Sequence, residues 1–187
     1  MTGALLADLG TRLRRFHADE GGNGTIEFVI IVPVFIVIFL STFELGMLMT
    51  RHVMLDRGLD MAVRAVRLGA IDPLTHETFK DAICDGAAII PDCANQLKLE
   101  MRPLNPRNWG IIPDSLDCVD RDDPSIAART FVTGVSNQLM ILRACALFNP
   151  YFPTTGLGAS LPRQSGGAYA LVSVSSFVIE PTGAGNN

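Results

Sequence analysis

Nowhere does this chain of 187 residues carry a run of Lys or Arg longer than a pair, and its formal net charge is -4. With an isoelectric point near 5.3, it lacks the basic footprint by which proteins grip a phosphate backbone, so nucleic acid is set aside as a partner. It has no C-x-x-C either: Cys84, Cys93, Cys118 and Cys145 follow one another at nine, 25 and 27 residues, which fits no common zinc-ligand pattern. His17, His52 and His76 form no H-E-x-x-H. Gly156-x-Gly158 lacks the third Gly of a dinucleotide fingerprint, and Gly134-Val-Ser136-Asn-Gln138 lacks the closing Gly of a nucleophile elbow. The acidic residues Asp114, Asp117, Asp120, Asp122 and Asp123 lack the Gly and terminal Glu of a calcium loop and read as a solvated stretch. No internal repeat is present. These absences leave no catalytic constellation, no metal site and no expected cofactor.

What is present is apolar and concentrated. Hydrophobic residues make up 48% of the chain and mean hydropathy is +0.30, with the excess lying between Phe28 and Met49. Phe28 to Phe43 carries no charge on any face, whereas a soluble helix keeps a polar one. As a helix, Phe28 to Met49 is about 33 Å long, enough for the hydrocarbon core. It is longer and further from the N-terminus than a signal-peptide core, and it ends in Glu44, Leu45 and Gly46 rather than in small residues of A-x-A type, so it stays as an anchor. Pro33 falls in the first two turns, where neighbouring helices commonly compensate for its missing N–H. Glu44, near the other boundary, reads as a snorkelling, solvated carboxylate.

Beyond Met49, Leu48, Leu55, Leu59, Ala62 and Val66 recur at helical spacings, and Gly69 is placed to cap. One helix is therefore expected from Ile26 to Leu68, membrane-embedded first and amphipathic afterwards. Arg64 and Arg67 read as its solvated face, with docking to a partner subunit as the sharper alternative. Met47, Met49, Met54 and Met61 read as packing rather than as metal ligands.

All four cysteines follow the apolar segment. An even count fits two disulfides in an oxidising compartment; three connectivities are open, of which Cys84 with Cys93 and Cys118 with Cys145 is favoured, against free thiols or a metal. Arginines flank the span on both sides, so charge alone does not orient it, but the cysteines favour an exported C-terminal side. That remainder reads as a helix over Thr75 to Ile90, a half-buried strand over Gln96 to Leu104, a loop from Pro103 to Pro124, a helix leading to a strand over Thr130 to Leu147, a loop from Pro150 to Gly167 and a last strand over Ala168 to Ile179. The fold class is α+β: a long N-terminal helix bearing one small head. Its parts are a polar leader (1–22), a transmembrane and amphipathic helix (23–69) and an exported head (70–187).

Directly before the apolar run stands Gly22-Asn-Gly-Thr-Ile-Glu27-Phe28. This resembles the prepilin processing motif, in which a Gly is followed by four residues, a Glu and an aromatic that opens the helix. Together with the early Pro, Glu44-x-Gly46 and Ala62-Val-Arg64-Ala65-Val-Arg67-Leu-Gly69, it looks like the TadE-like family of minor pseudopilins, components of the tight-adherence machinery that builds Flp pili of the type IV class. The resemblance runs from Gly21 to Gly69. It implies that prepilin peptidase, a membrane aspartyl peptidase, cuts after Gly22, leaving Asn23 as the mature N-terminus in the bacterial inner membrane. It also implies that Glu27 meets the N-terminal ammonium of a neighbouring subunit, since a carboxylate at membrane depth is expensive unless paired. Glu27, Pro33, Glu44, Arg64 and Arg67 would then serve assembly with other Tad pilins, pseudopilins and the inner-membrane platform, and the head suits a minor rather than a major pilin. A signal-anchored periplasmic enzyme and a small-ligand-binding module are the rival classes; neither accounts for Gly22 to Phe28.

Overall fold

The computed structural model describes Arg15 and residues 23–107, 118–119 and 131–180. The acidic residues at 114, 117, 120, 122 and 123 lie outside that set, as does Gly22. Helix α1, Asn23–Arg67, runs for 45 residues and passes through Pro33 unbroken. Its first half is rich in Val, Ile and Phe, which favour strands in water, but a lone strand without water would leave its backbone unpaired, whereas a helix satisfies its own. Polar side chains are absorbed in the same way: the hydroxyls of Ser41, Thr42 and Thr50 donate to carbonyls four residues back at 2.7, 2.9 and 2.8 Å. The helix stops where expected. Gly69 takes φ 67°, its N–H donates to the Val66 carbonyl at 3.0 Å, and that of Ala70 donates to Ala65 at 2.9 Å.

Helix α2 (His76–Gly86) starts at Thr75, whose side chain accepts from the Thr78 N–H while the Thr78 hydroxyl accepts from that of Thr75. A single turn, α3 (Cys93–Gln96), leads into strand β1 (Leu97–Pro103); strand β2 (Leu139–Phe148), helix α4 (Gly156–Ser160) and strand β3 (Tyr169–Val178) follow. The sheet has the order β1-β2-β3 and is antiparallel throughout, with Leu99 opposite Ala144 and Ala144 opposite Ser173.

The core lies between one face of this sheet and helices α1 and α2. Leu55, Leu59 and Ala62 of α1 meet Phe79 and Ile83 of α2, Leu99 and Met101 of β1, Leu142 of β2 and Phe177 of β3. The spacing read from the sequence is thus the packed face of α1, with Leu48 and Val66 at its margins. Gly58 and Gly86 let the helices touch backbone to backbone: a Cβ on Gly58 would lie 2.6 Å from the Ile83 carbonyl oxygen. Two disulfides, Cys84–Cys93 and Cys118–Cys145, close the head with the favoured connectivity.

Two expectations are corrected. Among the described residues no helix leads directly into β2: residues 131–138 hold a bridge from Phe131 to Met101 and a turn in which Asn137 takes φ 64°, because Gly134, Ser136 and Asn137 interrupt any apolar stripe. Strand β2 is misleading as sequence because it is buried on both faces. The helices cover one; Cys118, bonded to Cys145 and accepting from Lys98 Nζ at 3.5 Å, lies over the other. The loop expected over 150–167 contains α4 and a 3₁₀ turn, Ser165–Gly167.

Candidate functional site

Along α1 the surroundings change abruptly. Residues 24–31 and 33–39 are exposed, with Phe28 at 65% and Phe35 at 64%, and none of the most apolar window is buried. Apolar side chains in such number on a free surface call for an apolar solvent or a partner. The segment is long and apolar enough to act as a single membrane anchor. Asn23 opens the helix, and Glu27, Phe28 and Pro33 all lie on this bare stretch. No side chain among the described residues pairs with Glu27.

At Ser41 the head takes hold. The Ser41 hydroxyl accepts the N–H of Leu157 at 3.2 Å, and Gly156, at φ 51°, comes so close that a Cβ there would lie 2.1 Å from Ser41 Oγ. Glu44 is fully buried. Its Oε2 accepts the N–H groups of Tyr151 and Phe152 at 2.9 and 3.0 Å, while the rings of both residues pack edge-on against Phe43. The solvated carboxylate expected at this position is therefore corrected: the loop brings two backbone donors to Oε2 in place of water, while Oε1 is buried with no hydrogen-bond partner among the described residues.

Seven residues on, two helical turns along the same face, Arg51 is 6% exposed. Its Nη1 donates to the Asn149 carbonyl at 3.1 Å and to the Tyr169 hydroxyl at 2.7 Å, and its guanidinium lies over the rings of Phe148 and Tyr151, 5.0 and 4.6 Å from their centroids. Burial pushes the Tyr169 hydroxyl above its ordinary pKa, with Arg51 pulling the other way. Glu44 thus holds the loop by its donors and Arg51 by its acceptors, clasping residues 149–152 to the helix from both sides. A further ring nitrogen, His52 Nε2, lies 3.2 Å from the Val172 carbonyl oxygen.

At the far end Arg67 pairs with Glu180 at 2.6 Å, both half exposed, while Arg64 is exposed on the face expected to be solvated. The structure accordingly splits the sequence-derived assembly residues into two groups. Glu27, Pro33 and Arg64 face outward; Glu44 and Arg67 are engaged by the chain's own head. Arg51, Tyr169, Ser41 and the 149–157 loop were missed. A charge inside an apolar run followed by an opposite charge seven residues later was the available signal, together with the charge-free aromatic stretch Pro150-Tyr-Phe-Pro153.

No curated protein and no solved structure matches the chain. The region that matches a known family begins at the Gly of the proposed cleavage site and ends at Arg64, so it takes in the bare half of α1 and the Glu44 and Arg51 positions but not the sheet. Over residues 22–64 the chain matches the TadE-like protein family, a match that suggests a Tad pilus-associated protein.

Proposed function

We propose that this chain is a minor pseudopilin of a Tad/Flp pilus system: prepilin peptidase removes the leader after Gly22, the bare half of α1 resides in the inner membrane and packs with other pilin helices, and the head is exported. The observation that carries the reading is the conjunction, in the segment matching the TadE-like family, of Gly22, an exposed Glu27 and an apolar helix surface that the described residues leave uncovered. Glu27 then has a physical reason. A carboxylate costs about 3 kcal/mol at the centre of a membrane helix, which an ammonium on a neighbouring N-terminus would offset.

Export of the head is supported by its two disulfides, which persist in oxidising compartments. Its work is assembly, and adhesion follows from the pilus it helps to build. In cells carrying the Tad machinery, Gly22→Trp is expected to block processing and abolish piliation, and Glu27→Val to permit processing but lower piliation. Normal processing and piliation in the Gly22 variant would refute the reading.

A further inference from the structure

The length of the bare helix does not match the membrane it is read as crossing. The head touches α1 from Val37 upward, because Gly156 packs against the Val37 carbonyl oxygen and Ser41. Below that contact only Gly24 to Ile36 is free, about 20 Å of helix, whereas the hydrocarbon core is about 30 Å thick. Spanning it from Gly24 takes the helix to about Phe43, so the segment lying beside residues 37–44 overlaps the outer edge of the bilayer. Thinning the bilayer by the missing third is the alternative, and it carries an energetic penalty for each ångström of mismatch.

The composition of that segment suits the overlap. From Pro150 to Pro162 the loop carries no charged residue, and the first charge after it is Arg163, whose guanidinium donates back to the Pro153 carbonyl. Tyr151 is 47% exposed beside Phe43 and Phe152, the amphipathic and aromatic types that gather where membrane meets water. Six of the loop's backbone donors are met inside the protein, which suits a poorly hydrated setting. Tyr151 and Phe152 donate to Glu44 and Leu157 to Ser41, while Thr155, Ala159 and Leu161 donate to Phe152, Thr155 and Leu157. Pro150, Pro153 and Pro162 have no N–H to satisfy.

From this we infer that residues 150–162 are a membrane-seated element of the head: the loop and α4 lie in the exported-side interface of the bilayer, among headgroups and upper acyl chains, with α4 deeper than Tyr151. The occupant of this surface is lipid, because the surface is continuous with the lipid-facing stretch of α1. The inference rests on the reading of α1 as a membrane span, and its test separates the two.

The full chain, with Trp109→Phe as background, is placed in phosphatidylcholine vesicles whose acyl chains carry bromine near the headgroup or near the chain end. Single tryptophans are introduced as Tyr151→Trp, Ala159→Trp, Phe35→Trp and Val174→Trp. The expected result is quenching of Tyr151→Trp and Ala159→Trp chiefly by shallow bromine, Ala159→Trp more strongly, with Phe35→Trp quenched by deep bromine and Val174→Trp unaffected. Two loop probes guard against one of them disturbing the clasp. If Phe35→Trp is quenched while both loop probes behave like Val174→Trp, the loop inference fails and the span survives. If Phe35→Trp is also unquenched, both fall. Loop probes that ignore bromine but respond to dilution of the protein would assign the surface to a second copy of the chain and overturn the lipid assignment.

Discussion

The two halves of α1 are one continuous helix with opposite environments. Before Ser41 almost every side chain is free; from Glu44 to Val66, one face is buried by the head, including a Glu and an Arg that water would otherwise claim. Residue type did not decide burial. Phe35 is exposed and Glu44 is not, because the head's loop supplies hydrogen-bond donors at one position and no described residue covers the other. The first half is built for an environment outside the chain, and the second for the chain's own core.

Substitutions can break that contrast. The largest effect is expected in the head, where Cys118→Ser with Cys145→Ser opens a loop of 27 residues and lowers stability by about 3.5 kcal/mol by loop-closure entropy, against about 2.5 for the nine-residue Cys84–Cys93 bridge. Denaturant unfolding of the detergent-solubilised full chain, followed by near-ultraviolet circular dichroism, measures both; equal losses would contradict the loop-length ordering. Next in size, Glu44→Ala strands two N–H donors in a buried site and should lower stability by about 3 kcal/mol, with Glu44→Gln retaining part of it. A loss below about 0.5 kcal/mol would mean that the clasp is a solvated surface contact.

By contrast, Phe35→Ala is expected to leave head stability within about 0.5 kcal/mol, since the residue is 64% exposed. A core-sized loss there would erase the distinction between the halves. The smallest effect is one of pH. The raised pKa of Tyr169, caused first by burial and opposed by Arg51, means that the folded chain holds this proton where the unfolded chain releases it, near pH 10. Its contribution is therefore complete below about pH 10 and is lost as pH climbs through the folded value. Stability measured from neutral to alkaline pH should fall less steeply in Tyr169→Phe; an unchanged slope would refute the assignment.

Much of the architecture is legible in the residues because it obeys short-range rules. Leu55, Leu59 and Ala62 mark the packed stripe by their spacing, Gly69 ends the helix through its positive φ, and Leu97, Leu99 and Met101 alternate at the strand period, although Lys98 between them is buried on the other face. Strand β2 was obscured because covering both faces removes alternation. The clasp was obscured for a different reason. Glu44 finds its partners 107 and 108 residues away, in backbone N–H groups that no side-chain pattern advertises. A carboxylate near a membrane boundary reads as solvated unless the loop that reaches it is known, and Arg51 becomes its counterpart only once Asn149 and Tyr169 are placed.

On the proposed function, Gly22 to Phe28 is a processing site directly before the exposed apolar stretch of α1. Intact mass spectrometry of the membrane-extracted protein, with and without co-expressed prepilin peptidase, tests it most directly. A mass lower by residues 1–22, seen only with the peptidase, is the predicted result; a chain of unchanged mass in both conditions would contradict it.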